Sequence, residues 1–235
     1  RTYKIRTQRF ILLILLLSCI TSVFSSDFFH RIAEDDGLSN RRCFSVQQDK
    51  HGFMWISTKL GVDRFDGKNF RHYPLNLFPD QGYNRIGVNY LRCSPDSTLW
   101  VFSEAGLLFQ YDERKDEFEL IYAVRDFFNN HSIILNDVMF DSPETVFLST
   151  SKGVLKLNLP DRMALLFPGT EELSVNQVNK NDDRYYISTR DGLYISIFPK
   201  TGPMEVRFRC LEGKNVLSTY VDMENRRILI GTLDA

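Results

Sequence analysis

Gly52-Phe53-Met54-Trp55-Ile56-Ser57-Thr58-Lys59-Leu60-Gly61-Val62-Asp63-Arg64-Phe65-Asp66-Gly67 decides the reading of this chain. Phe53 to Thr58 is rich in aromatic and β-branched residues, Gly61 interrupts it, and Val62 to Phe65 begins a second run that stops at Asp66-Gly67. Toward the N-terminus, Cys43 to Gln48 reads as a strand closed by the turn Asp49-Lys50-His51-Gly52. Toward the C-terminus, Asp66-Gly67-Lys68-Asn69 is a turn and Phe70 to Tyr73 a fourth strand. The unit predicted is a four-stranded, up-and-down meander.

The same unit recurs. Trp55-Ile56-Ser57-Thr58 with Gly61 is followed by Trp100-Val101-Phe102-Ser103 with Gly106, Phe147-Leu148-Ser149-Thr150 with Gly153, Tyr186-Ile187-Ser188-Thr189 with Gly192, and Leu229-Ile230-Gly231-Thr232. First positions lie 45, 47, 39 and 43 residues apart, the spacing of propeller blades at roughly 40–50 residues each. Helical repeats of similar length are excluded by the β-branched and aromatic composition and the frequent turn formers. The fold class predicted is all-β, a β-propeller of four-stranded blades. It is incomplete, with blades near residues 41–84, 85–131, 132–173 and 174–214 and the start of a fifth at 215–235. A single blade leaves both sheet faces bare, so blades stack, and Trp55 and Trp100 are expected between them. Gly61, Gly106, Gly153 and Gly192 are expected to supply a positive φ. The repeat positions Trp55, Thr58, Gly61, Trp100, Gly106, Thr150, Gly153, Thr189, Gly192 and Thr232 are accordingly read as structural.

Ahead of the repeats, Arg1, Lys4, Arg6 and Arg9 precede the apolar run Phe10 to Leu17 and a small, polar stretch to Ser26. Residues 1–25 read as a signal peptide. An uncleaved anchor and a lipobox, Leu16-Leu17-Ser18-Cys19 with lipid on Cys19, remain open. Ser18, Thr21 and Ser22 interrupt the run before it reaches the roughly 20 apolar residues of a stable span. Without the leader, 25 basic residues face 30 acidic ones, a net charge of −5, which argues against nucleic acid as a partner. Cys43, Cys93 and Cys210 then remain, with no CxxC spacing, and are expected as buried thiols, one disulfide being possible. His30, His51, His72 and His131 show no ligand spacing, so neither metal nor cofactor is expected.

No nucleophile motif is present. The adjacent pairs Asp35-Asp36, Glu171-Glu172 and Asp182-Asp183 read as solvated turn residues, because two-carboxylate catalysis draws on separate segments about 5–10 Å apart. Asp49 and Asp66 shape turns, and Arg41-Arg42 and Arg226-Arg227 read as exposed strand ends. Phe127-Phe128-Asn129-Asn130-His131 is a longer inter-blade loop, and Phe127, Phe128 and His131 are the local candidates for a ligand or partner contact.

Gly37-Leu38-Ser39, Gln48-Asp49, the stretch from Gly52 to Gly67, and Phe70 to Tyr73 resemble the opening blade of the two-component regulator propeller family. The resemblance is specific over residues 28–73 and periodic to Thr232. Ser103 in place of threonine, Val62 after Gly61, and the missing tryptophans of the third and fourth units depart from it. What it implies is the N-terminal periplasmic sensor part of a Bacteroidetes hybrid two-component protein. Such a protein carries further blades, a membrane helix, a kinase and DNA-binding parts beyond this segment, has oligosaccharide ligands and controls polysaccharide-utilisation genes. It also implies a possible homodimer and no catalysis by the segment itself. The alternatives are a secreted propeller enzyme acting on polysaccharides and a lipid-anchored binding scaffold. Phe28 to Ile32 is expected to pair with a late blade of the complete protein, a partner missing from this segment.

Overall fold

Side chains that cap their own hairpins set the architecture. Asp49 Oδ1 accepts from the backbone N–H of His51 and Phe53, and Asp66 Oδ1 from that of Lys68 and Asn69. Asp112 Oδ1, Ser142 Oγ and Asp222 Oδ1 repeat the device on Arg114, Thr145 and Asn225. Each satisfies amides that a tight turn leaves unpaired.

The computed structural model describes residues 31–75, 88–130, 132–197 and 205–233. Four four-stranded antiparallel meanders follow one another. The first is β1 (Cys43–Gln48), β2 (Met54–Thr58), β3 (Gly61–Phe65) and β4 (Phe70–Tyr73); the second is β5 (Asn89–Cys93), β6 (Leu99–Ser103), β7 (Leu107–Asp112) and β8 (Glu117–Ala123). The third is β9 (Leu135–Ser142), β10 (Thr145–Thr150), β11 (Gly153–Asn158) and β12 (Met163–Leu166). The fourth is β13 (Val175–Asn181), β14 (Arg184–Thr189), β15 (Gly192–Ile197) and β16 (Glu205–Cys210). A two-stranded sheet, β17 (Val216–Asp222) and β18 (Arg227–Thr232), comes last. The all-β propeller class read from the repeat is the observed one.

Apolar layers lie between successive sheets, and the first residue of each repeat points into the layer it shares with the following sheet. Trp55 packs with Leu91, Val101 and Phe109, Trp100 with Leu135, Val146 and Leu155, Phe147 with Val178 and Ile187, and Tyr186 with Val216. The fifth copy, Leu229, is 49% exposed, because no described strand lies on that side of β18. Trp55 meets Tyr111 edge-on with centroids 4.7 Å apart, and its Nε1 donates to Asp49 Oδ2 at 2.7 Å.

First strands adjoin one another along the inner wall. The Leu91 N–H donates to Ser45 Oγ, Asn136 Nδ2 to the Val175 carbonyl, and Asn176 Nδ2 to the Val216 carbonyl. β-Bulges between Leu135 and Asp137 and between Val175 and Gln177 turn Asn136 and Asn176 toward the next sheet.

Two expectations change. Residues 124–128 form a short helix, α1 (Val124–Phe128), where irregular loop was expected. It ends at Asn129 with φ 47°, and Val124 and Phe128 pack into the layer between the second and third sheets. The thiols are not buried: Cys43 is exposed where β1 begins, Cys93 and Cys210 are half-buried, and all three are free. Arg31 and Ile32 lie in no strand, while residues 1–30, which hold the expected signal segment and Phe28 to His30, are outside the described residues.

Candidate ligand site

The recurring Thr and Gly close the turn between the second and third strands. Thr150 Oγ1 accepts from the Lys152 N–H at 3.1 Å and donates to the Gly153 carbonyl at 2.8 Å. Thr189 does the same with Asp191 and Gly192 at the same two distances. Thr58 accepts from Leu60 N–H and also bonds Ser39 Oγ, and in the second sheet Ser103 Oγ accepts from Leu107 N–H. Gly61 has φ 134° and opens β3; a Cβ there would lie 2.4 Å from the Tyr73 carbonyl oxygen. Gly106, Gly153 and Gly192 also have positive φ, Trp100 Nε1 donates to Ser94 Oγ, and Thr232 pairs with Val216 in the last hairpin. These positions hold the scaffold and line no cleft described below.

The aromatic candidates sit on the connection between the second and third sheets. Phe127 is 40% exposed and its ring contacts Phe128 edge-on at 5.1 Å, while Phe128 also packs on the core. His131 lies outside the described residues. The paired carboxylates Asp35-Asp36, Glu171-Glu172 and Asp182-Asp183 are exposed, as are Arg41-Arg42 and Arg226-Arg227. Among the described residues, no group of three His, Cys, Asp or Glu gathers in a metal-binding arrangement.

The cleft that draws polar side chains from several blades is on the inner wall. It encloses about 350 Å³ and is lined by Arg92 and Cys93 of β5, Asp137 to Phe140 of β9, and Gln177 to Asn179 of β13. Asp137 is nine-tenths buried, and Arg92 Nη2 donates to its Oδ1 at 2.6 Å. Arg92 Nη1 is held by the Leu91 carbonyl, and the guanidinium lies 5.6 Å from the Phe102 ring centroid. Gln177 Oε1 accepts from Thr219 N–H and Asn179 Nδ2, and Asn179 Nδ2 reaches Thr219 Oγ1 as well. Among the described residues, Asp137 Oδ2, Asn179 Oδ1, Arg92 Nε and Gln177 Nε2 have no protein partner. Chemically this set is able to donate and accept hydrogen bonds to a polar ligand. Sequence reasoning missed it, although Arg92, Met139 and Asn179 occupy one repeat position, opposite Trp100, Phe147 and Tyr186.

A second cleft, about 260 Å³, opens between the first two sheets beside Asp49, His51, Phe53, Arg64, Tyr111 and Glu113. Arg64 and Tyr111 of its lining belong to an inter-sheet lock. Asp116 Oδ1 accepts from Tyr73 and Tyr111 hydroxyls at 2.6 and 2.5 Å, with Arg64 and Arg71 paired to the same carboxylate. Burial opposes the charged form of Asp116, but those phenols and guanidiniums outweigh it and hold its carboxyl below the usual range. Burial, then Asp63, push the Cys43 thiol up, so it is not an activated nucleophile.

Comparison with known proteins bears on the fold and on one short stretch of sequence. No family model matches. A stretch of 52 residues is 36% identical to Histidine kinase P4 of Formosa agariphila, covering 22% of this chain and 4% of that protein. The fold is similar to the extracellular domain assigned to the hybrid two component system BT3049 of B. thetaiotaomicron, with TM-score 0.68 and 20% identity, over 86% of this chain and 29% of that one. That of BT4673 follows at 0.62 and 22%, over 83% and 27%. Virginiamycin B lyase from Staphylococcus aureus has the fold too, at TM-score 0.57 and 10% identity, over 82% and 70%. The chain thus spans less than a third of either extracellular domain. The structures share the propeller fold read from the repeat, and the 52-residue match to a histidine kinase agrees with the resemblance that the motif from Gly37 to Tyr73 carries.

Proposed function

We propose that this chain is part of the extracytoplasmic sensor of a hybrid two-component protein, a binding element rather than a catalytic one. The observation that carries the reading is the joint likeness to the extracellular domains of two such systems and, over 52 residues, to a histidine kinase. The polar inner cleft supports it, since ligand sites are concave and need a few well-placed polar groups. In this reading the segment faces the periplasm, and oligosaccharide binding is relayed to a kinase that controls polysaccharide-utilisation genes. Further blades, the membrane part and a second copy of the protein are its partners.

The test is genetic. Deleting the gene and measuring transcripts on single purified polysaccharides should abolish induction of one polysaccharide-degrading gene set and leave the others intact. Unchanged induction on every polysaccharide that the parent strain uses would sink the proposal.

A further inference from the structure

We propose that the inner cleft walled by β5, β9 and β13 binds the end of an uncharged, polyhydroxylated ligand and rejects anionic sugars, with Arg92, Asp137, Gln177 and Asn179 as its contact residues. This rests on the sensing reading above and goes beyond it by naming a site and a charge class.

Charge is the first argument. Arg92 and Asp137 are the charged side chains in the lining, and they neutralise each other at 2.6 Å. Arg92 spends one of its N–H groups on Asp137 and one on the Leu91 carbonyl, and its charge is balanced by Asp137. An incoming carboxylate or sulfate must compete with Asp137 for the guanidinium and meets Asp137 Oδ2, whose charge is nine-tenths buried. A cation would displace or repel Arg92.

Hydrogen-bond inventory is the second. Two acceptor atoms, Asp137 Oδ2 and Asn179 Oδ1, are left over after the protein's own bonds are counted among the described residues, as are the donors Gln177 Nε2, Arg92 Nε and the second N–H of each Arg92 Nη. A hydroxyl donates and accepts at once, so vicinal hydroxyls suit a mixed set of this kind. Met139 and Phe140 line the same cleft, are partly exposed and offer C–H surface to the apolar face of a sugar ring. Its volume of about 350 Å³ is near the small end of ligand sites, roughly 300–1,000 Å³, which fits a short oligosaccharide or a chain end.

The experiment is calorimetric titration of the chain with two probe sets: neutral xylo-, malto-, cello- and manno-oligosaccharides, and acidic oligogalacturonates and sulfated heparin disaccharides. A neutral probe is expected to bind and the acidic ones not. Gln177→Ala and Asn179→Ala should each weaken the neutral probe about tenfold, the worth of a hydrogen bond to a ligand. Asp137→Asn, nearly isosteric, should weaken it similarly and raise affinity for oligogalacturonate by freeing Arg92. His51→Ala, at the rim of the second cleft, should change neither. Cys93 lines the inner cleft, so the neutral probe should also slow its alkylation by iodoacetamide in the unmutated protein relative to Cys43, a readout independent of variant folding. Neutral binding that the variants leave unchanged, with Cys93 unprotected, overturns the site while sensing stands. Acidic probes binding the unmutated protein better than neutral ones overturns the charge argument. Binding of neither set removes the sensing reading and this one together.

Discussion

Thr150→Val isolates the hydroxyl that the repeat places before each glycine. Thr150 is fully buried, and valine has nearly its shape, so no cavity forms. What is lost is a pair of hydrogen bonds, from Lys152 N–H to Oγ1 at 3.1 Å and from Oγ1 to the Gly153 carbonyl at 2.8 Å. At about 0.5–1.5 kcal/mol net for each, the cost is about 1–3 kcal/mol. Thr150→Ser keeps both bonds and removes one methyl, worth about 0.8 kcal/mol, so it should cost less. Thr189→Val should match Thr150→Val, since its bonds have the same lengths. Ser103→Ala should cost less than either, because it gives up a single bond of 3.3 Å. Urea unfolding followed by circular dichroism reads these differences as midpoint shifts at constant slope. If Thr150→Val stayed within about 0.5 kcal/mol of the parent, or Thr150→Ser proved the worse of the two, the turn-closing role would be refuted.

Gly153→Ala should lower the melting temperature clearly, because φ is +95° and a Cβ would lie 2.7 Å from the Thr170 carbonyl oxygen; the strain alone is about 1–3 kcal/mol. Trp55→Phe should destabilise more than Trp100→Phe in the same unfolding assay, since Trp55 Nε1 bonds a carboxylate and Trp100 Nε1 a hydroxyl. The Asp116 carboxyl is held below its ordinary range in the folded state. It therefore contributes stability that is fully present above the unfolded value of about 3.9 and lost as pH falls through the lower folded value. Asp116→Asn should accordingly be less stable than the parent at neutral pH, and the gap should narrow as denaturation is repeated at decreasing pH below about 4.

How much was legible in the sequence follows the range of the interactions. Asp49, Asp66 and Thr150 bond amides two to four residues away, so the turns, the four-strand unit and its period could be read from order alone. Trp55 and Trp100 could be assigned to the layers between blades because a lone blade has no other way to cover them. The inner cleft could not be read in this way. Arg92 meets Asp137 across 45 residues, and Thr219 meets Gln177 across 42. Which side chains face the wall depends on the bulges at Asn136 and Asn176, because a single inserted residue moves its neighbours to the opposite face. Phe127 and Phe128 illustrate the converse. Their aromatic character drew attention in the sequence, but only the fold shows that they end a short helix, with Phe128 partly buried against the layer between two sheets and Phe127 exposed. Local hydrogen bonding thus determined the blade from sequence, whereas stacking of one blade on the next decided which polar side chains meet along the inner cleft.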